Sequence, residues 1–234
     1  MQCGEFDKRN KEFYKKFNQT TFFINLLNLK GDSDPIIFDV GAHKGESIVF
    51  FRKIFQNAQI YCFEPNPMSL KQIEIMNDSR NKIFNAALSN YDGTSDFNIQ
   101  DISHLSSLHK INKKSKSSIG YADKEKHEVI TVDVMTGDKI IKDHNIKVID
   151  LLKIDVQSNE VKTLEGFKNS LNIIKNIIIE VSFYDFYKNK SSISEIEKII
   201  DGFELYDIFE ISKNPKTQGT DWATLIYKNK KLNA

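Results

Sequence analysis

Apolar residues in this chain come in short runs, separated by polar stretches with helical spacing. Ile36–Val40 is interrupted only by Asp39, as in a strand buried on both faces. Glu46–Phe55 follows as a helix, with Ile48, Phe51 and Phe55 on one side. Gln59–Glu64 predicts a second strand and Pro67–Met76 a second helix, its proline at an early position that needs no backbone donor. Ile83–Leu88 reads as the third strand, Asn90–Gly93 as a turn and Ser95–Gln100 as an added strand. Strand character resumes over Glu128–Val134, and Thr136–His144 fits a short helix. Val148–Asp155 is a strongly apolar strand, Glu160–Leu171 a helix and Ile177–Val181 another strand. A last helix over Ser194–Ile200 takes Ser194 as its cap, with Glu197 three residues on. Phe203–Ile211 and Trp222–Tyr227 close the chain as an antiparallel hairpin, with Trp222 expected to anchor it in the core.

Alternating strands and helices imply an α/β fold with a parallel sheet and helices on both faces, because crossovers are right-handed. Residues 1–34 read as a helical cap, with Phe13, Phe17, Phe22, Ile24 and Leu27 near helical spacing before the break at Gly31–Pro35. Residues 35–234 form the main domain. His104–Lys126 is rich in Ser and Lys and is the longest expected loop, of the kind recruited as a lid. His104 and His109 within it read as surface positions. Ligands of such sheets bind beyond the carboxyl ends of the strands. The first, second, fourth and fifth parallel strands are therefore expected to supply the site.

Composition narrows the picture. The 33 basic and 32 acidic residues nearly cancel, so no concentrated positive surface argues for a nucleic-acid partner. The lysine runs at 113–116 and 228–231 read as solubility features. Cys3 and Cys62 are the two cysteines, too few for a disulfide framework or a four-cysteine zinc site. No stretch approaches the roughly 20 apolar residues of a membrane span. The first thirty residues carry no secretory signature. A cytoplasmic location is the expectation.

The first strand runs into Asp39-Val40-Gly41-Ala42-His43-Lys44-Gly45. Gly41 permits a tight turn, and Gly45 permits close approach at the start of the helix. A dinucleotide loop would place a glycine where His43 stands, and that imidazole would crowd a pyrophosphate while tolerating an amino-acid moiety. Glu64 lies 23 positions after Gly41 at the next strand end, where a carboxylate can accept both hydroxyls of a ribose. Turn and acid together favour an adenosine-type ligand. Asp155 and Glu180 end adjacent strands and face the same edge. Paired carboxylates could hold a divalent ion, but nothing in the spacing requires a metal.

Five ordered blocks, IIFDVGAHKGESIVFF, IYCFEPNP, NAALSNYDG, DLLKIDVQSNEVKTLEGF and IIIEVS, resemble the FkbM family of methyltransferases. The resemblance implies a Rossmann-like class I fold, with a mostly parallel seven-stranded sheet and a C-terminal antiparallel hairpin. It also implies S-adenosylmethionine as donor, S-adenosylhomocysteine as product, and O-methylation of a hydroxyl on a glycan precursor or secondary metabolite. Asp39, Gly41, Ala42, Gly45 and Ser47 then shape the donor loop, Glu64 holds the ribose, and Ala86 and Ala87 lie near the adenine. Asp155 serves as acceptor-side base or as ligand of the methionine amino group. Lys153 and Glu180 give electrostatic support, or pair with each other. Two positions depart from the family pattern: His43 replaces a frequent Asn, and Gln157-Ser158 replaces a frequent Glu-Gly. The altered turn leaves an inactive cofactor-binding module as an alternative, with a nicotinamide-dependent oxidoreductase behind it.

Overall fold

The computed structural model describes residues 18–29, 33–76, 78–112, 114, 127–214 and 217–232. Helix α1 (Gln19–Leu27) is capped by the Asn18 side chain, which accepts from the amide of Thr21. It buries Phe23, Leu26 and Leu27. Leu27 is buried as its spacing implied, whereas Phe22 and Ile24 are only partly covered and Phe23 and Leu26 take the buried places instead. Phe13 and Phe17 lie outside the described residues.

Strand β1 (Ile36–Val40), helix α2 (Glu46–Ile54), strand β2 (Gln59–Phe63), helix α3 (Pro67–Ile75) and strand β3 (Asn81–Phe84) follow in βαβαβ order. The expected third strand then divides. Asn85 breaks it, and β4 (Ala86–Leu88) leaves the main sheet to pair with β6 (His127–Met135), which also pairs with β5 (Gly93–Gln100). A three-stranded side sheet results, in the order β4-β6-β5.

The chain returns through α4 (Gly137–Asp143), β7 (Ile149–Ile154), α5 (Glu160–Glu165), β8 (Ile174–Ser182), α6 (Ile193–Ile199), β9 (Phe203–Lys213) and β10 (Thr220–Asn229). Helix α5 stops well before Leu171, at Gly166. The cap of α6 is Ser192, not Ser194. Its side chain accepts from the amide of Glu195, and the Glu195 carboxylate accepts from the Ser192 amide. The main sheet has seven strands in the order β3-β2-β1-β7-β8-β10-β9, parallel through β8 and antiparallel after it. This is the expected class I methyltransferase-like arrangement.

Alternation along the strands sorts side chains between two cores. Phe38, Val40, Leu152, Ile154, Ile177 and Ile179 enter one. Ile37, Cys62, Leu151, Ile178 and Ile226 enter the other, beneath α1 and α2. Each such buried side chain contributes about 1.5–3 kcal/mol. Asp39, Lys153, Glu180 and Thr224 share the parity of the second set, so the carboxyl end of that face turns polar. Trp222 is only half-buried; Ala223, Leu225 and Tyr227 hold the hairpin in the core. Among the described residues, no helix is long and apolar enough to cross a membrane.

Candidate active site

The bend after β1 is built by conformations that ordinary residues avoid. Gly41 has φ +77°, and a Cβ there would lie 1.9 Å from the Asp155 carbonyl oxygen. Only glycine lets the two strand ends come this close. The amides of Gly41 and Ala42 both donate to the Phe63 carbonyl, which ties the bend to the end of β2. Gly45 caps α2 at φ +88°, but the atom its missing Cβ makes room for is Met76 Cε at 2.5 Å. That differs from the ligand or strand approach read in the sequence.

Beneath the bend lies a fully buried anion. Asp39 accepts from Ser47 Oγ and lies 3.0 Å from Lys153 Nζ, its partner in the parallel register of β1 and β7. Lys153 also approaches Asp155 at 4.0 Å. Burial pulls the Lys153 ammonium down, but the charges of Asp39 and Asp155 outweigh this and hold it above its ordinary value. Asp39 thus fixes Lys153 at the rim, and no Lys153–Glu180 pair forms.

Glu64 is 6% exposed. Its Oε2 accepts from the amide of His43 and its Oε1 from that of Asn66, both at 2.8 Å. Each oxygen keeps a further lone pair for a hydroxyl donor. Burial lifts the carboxyl to about 7, against the two amides that pull it down. His43 adopts φ +48°. Its ring lies 3.3 Å from Glu46 Oε1 and 2.8 Å from Ser103 Oγ, and burial lowers its pKa.

After β7 the chain makes another left-handed turn, with Gln157 at φ +54° and Ser158 at φ +81°. Ser158, where the family pattern has glycine, thus holds a φ that glycine adopts more readily, and its buried hydroxyl has no hydrogen-bond partner. The amide of Gln157 donates to Asp155 at 2.9 Å and to Glu180 at 3.2 Å, bridging two carboxylates that the sheet register sets side by side. Its carbonyl end faces the Tyr187 hydroxyl at 3.1 Å, and that hydroxyl also meets the Leu105 carbonyl at 2.8 Å. Burial, with Asp155 and Glu160 nearby, pushes Glu180 up to about 9.

At the start of the segment predicted as a loop from His104, a 3-10 turn covers Ser103–Leu105, and Ser107 Oγ donates to the Gln157 carbonyl at 2.6 Å. His104 is exposed, whereas His109 is buried and its pKa is lowered by that burial. Residues 113 and 115–126 lie outside the described residues.

These parts enclose a cavity of about 300 Å³, at the lower end of small-molecule sites. Of the residues predicted from sequence, Gly41, Ala42, Ser47, Glu64, Ala87 and Asp155 line it, with Lys153. Asp39 lies beneath, and Ala86 and Gly45 stand behind the wall. Glu180 lines a second cavity of about 370 Å³, which shares Glu46, Ser47, Lys153 and Asp155 with the first. Sequence reasoning missed the bridging role of Gln157 and the contribution of Tyr187, whose partners lie 30 and 82 residues away. It also missed Asn159, which lines the first cavity. Among the described residues, no group of three His, Cys, Asp or Glu side chains is placed to hold a metal ion.

Residues 39–206 match the family described as the methyltransferase FkbM domain. The 2-O-methyltransferase NoeI of Sinorhizobium fredii is 25% identical over 208 residues, covering 85% of this chain and 86% of that protein. The hexuronic acid methyltransferase AglP of Haloferax volcanii is 22% identical over 161 residues, covering 68% of this chain and 60% of that protein. Among solved structures, an rRNA methylase from Streptococcus thermophilus aligns with a TM-score of 0.46 at 9% identity, over 92% of this chain and 98% of that one. TrmK of M. capricolum, bound to S-adenosylhomocysteine, aligns with a TM-score of 0.47 at 12% identity, over 88% and 66%. The chain belongs to the FkbM methyltransferase domain family and is an S-adenosylmethionine-dependent methyltransferase.

Proposed function

We propose that the chain methylates a hydroxyl of a glycan-type acceptor, with the donor in the cavity under the Gly41–Gly45 bend and Asp155 on the acceptor side. The observation that carries this reading is the buried Glu64 carboxylate on one wall of that cavity, with Asp155 on the other. Glu64 has lone pairs for two ribose hydroxyls. Ala87 and Leu88 offer small and apolar surface for a purine. Lys153 and Ser47 hold the rim in place through Asp39. These residues fit an adenosine-bearing sulfonium compound.

When bound, S-adenosylmethionine supplies an electrophilic methyl group. The chain's own part is positioning and proton handling. Asp155, fixed by the Gln157 amide, accepts a hydrogen bond from the acceptor hydroxyl and takes its proton as the oxygen is methylated. Burial and the neighbouring Asp155 and Glu160 favour the protonated form of Glu180, which suits it to donate a hydrogen bond rather than act as a second base. Ser103 and His104 of the turn at 103–105 line the cavity, where they can limit water around the reacting groups. The division into a cap, 1–34, and a catalytic domain, 35–234, is part of this reading, supported by α1 lying on α2 and β8. No step in it calls for a metal or a nucleic acid. One relative named as a 2-O-methyltransferase and another named as a hexuronic acid methyltransferase favour a glycan-type acceptor over other hydroxyl compounds.

Two substitutions test the assignment. Glu64→Ala is expected to weaken S-adenosylhomocysteine by about 100-fold in titration calorimetry, the loss of two charge-assisted bonds. Unchanged affinity removes the ribose role. Asp155→Asn is expected to lower turnover about 100-fold or more with donor affinity kept within about threefold. Equal loss of both makes Asp155 a donor ligand instead.

A further inference from the structure

The second cavity has a sheet floor and helical walls. In the registers of β8, β10 and β9, Glu180 pairs with Thr224 and Thr224 with Glu210, which sets three polar side chains in a row on the face under α1. The register of β9 against β10 slips at this point. Thr224 is opposite Glu210 and Leu225 opposite Ile208, so Phe209 is an extra, bulged residue. Such a bulge re-aims its side chain. Phe209 stacks on Phe22 with centroids 5.5 Å apart and meets Phe23 edge-on at 5.6 Å. Phe50 of α2 completes the aromatic wall, edge-on to Phe23 at 5.2 Å. Phe50 and Phe209 are half-buried and keep ring surface toward the cavity.

The ionisable lining is acidic apart from one lysine. Glu46, Asp155, Glu180 and Glu210 border the cavity, and the basic side chain among its lining residues is Lys153. Lys153 is already matched by the buried Asp39. A carboxylate or phosphate brought in here would meet the carboxylates of Glu46, Asp155 and Glu210, with no further cation among the described lining residues to offset them. Hydroxyl groups would find acceptors on every side, and the apolar face of a sugar ring would find Phe50 and Phe209. The cavity shares Glu46, Ser47, Lys153 and Asp155 with the donor cavity, so an occupant lies next to the proposed base.

We propose that this second cavity is the acceptor subsite and that it selects a glycoside carrying no anionic group. This rests on the function proposed above and narrows its substrate class. Phe209 and Glu210 set the specificity, from a strand distant in sequence from every donor-binding residue.

The test uses the full chain loaded with S-adenosylhomocysteine. Saturation-transfer NMR compares methyl β-glucoside with methyl β-glucuronoside, two probes that differ in one carboxylate. The glucoside is expected to bind at least about tenfold more tightly. Glu210→Lys should reverse that order, and Phe209→Leu, which removes the ring but keeps the bulk, should weaken the glucoside about fivefold. Both variants should keep S-adenosylhomocysteine affinity within about twofold, which also reports that they fold. Equal or tighter glucuronoside binding overturns the proposal, as does glucoside binding that neither substitution changes. If S-adenosylhomocysteine binds and neither glycoside does, the glycoside class is overturned while the donor reading stands. If S-adenosylhomocysteine itself fails to bind, the donor reading falls, and glycoside binding to the unloaded chain decides the cavity on its own.

Discussion

The two cavities share a rim at Glu46, Ser47, Lys153 and Asp155 but are made in different ways. The first is shaped by backbone: left-handed residues at positions 41, 43, 45, 157 and 158, amides aimed at Glu64, and strand ends drawn together. The second is shaped by side chains that α1, α2 and β9 bring over the sheet. Backbone shape suits a ligand that is the same throughout a family, because it depends little on which side chains are present. Side-chain shape can be changed by single substitutions on an edge strand. The difference predicts that damage to the first cavity removes activity outright, whereas changes in the second alter preference.

The sharpest break of that comparison is Gly41→Ala. Its Cβ would collide with the Asp155 carbonyl, so the expected cost is about 3 kcal/mol of stability, read from denaturant unfolding. S-adenosylhomocysteine binding should be lost with it. A variant of wild-type stability would show that the bend is soft.

The next effect is on pH dependence. Glu64 must be ionised to accept two hydroxyls, and its carboxyl sits at about 7. Donor affinity is therefore expected to rise about tenfold between pH 6 and pH 8. Glu64→Gln should be weaker throughout and flat over that range. For the apo chain the sign is opposite: a carboxyl raised on folding favours the folded state at low pH, and that contribution is lost as pH rises through 7. A donor affinity that falls with pH would contradict the role of Glu64.

The smallest effect is a gain. Ser158 holds φ +81°, and its buried hydroxyl has no hydrogen-bond partner. Ser158→Gly should stabilise the chain by about 1 kcal/mol. A loss of stability would mean that the serine contributes packing to the turn.

Much of the first cavity was legible in the sequence because its parts are contiguous. A strand, a glycine bend and a helix start are written within ten residues from Asp39, and Glu64 and Asp155 end their own strands. Strand parity even places Asp39 and Lys153 on one face. What escaped depends on groups far apart in the chain. Tyr187 reaches Gln157 and Leu105 only after β8 and the side sheet are in place. The break at Asn85 was hidden because that one polar residue sits in the otherwise apolar run Ile83–Leu88, and only pairing with β6 decides that Ala86–Leu88 leaves the main sheet. Ser192 and Ser194 are both acceptable caps by type and both have a Glu three residues on; Glu195 forms the capping box, while Glu197 accepts from the distant Tyr227 hydroxyl. The bulge at Phe209 is a matter of register, which a strand's own residues do not encode.

The central claim is that the acid after β2 and the bend after β1 grip one nucleoside. A crystal grown with S-adenosylhomocysteine tests it most directly. Ribose hydroxyls within hydrogen-bond distance of both Glu64 oxygens, with the amino-acid end against the Gly41 bend, are the predicted result. A nucleoside bound elsewhere, or a Glu64 carboxylate turned from it, would contradict the account.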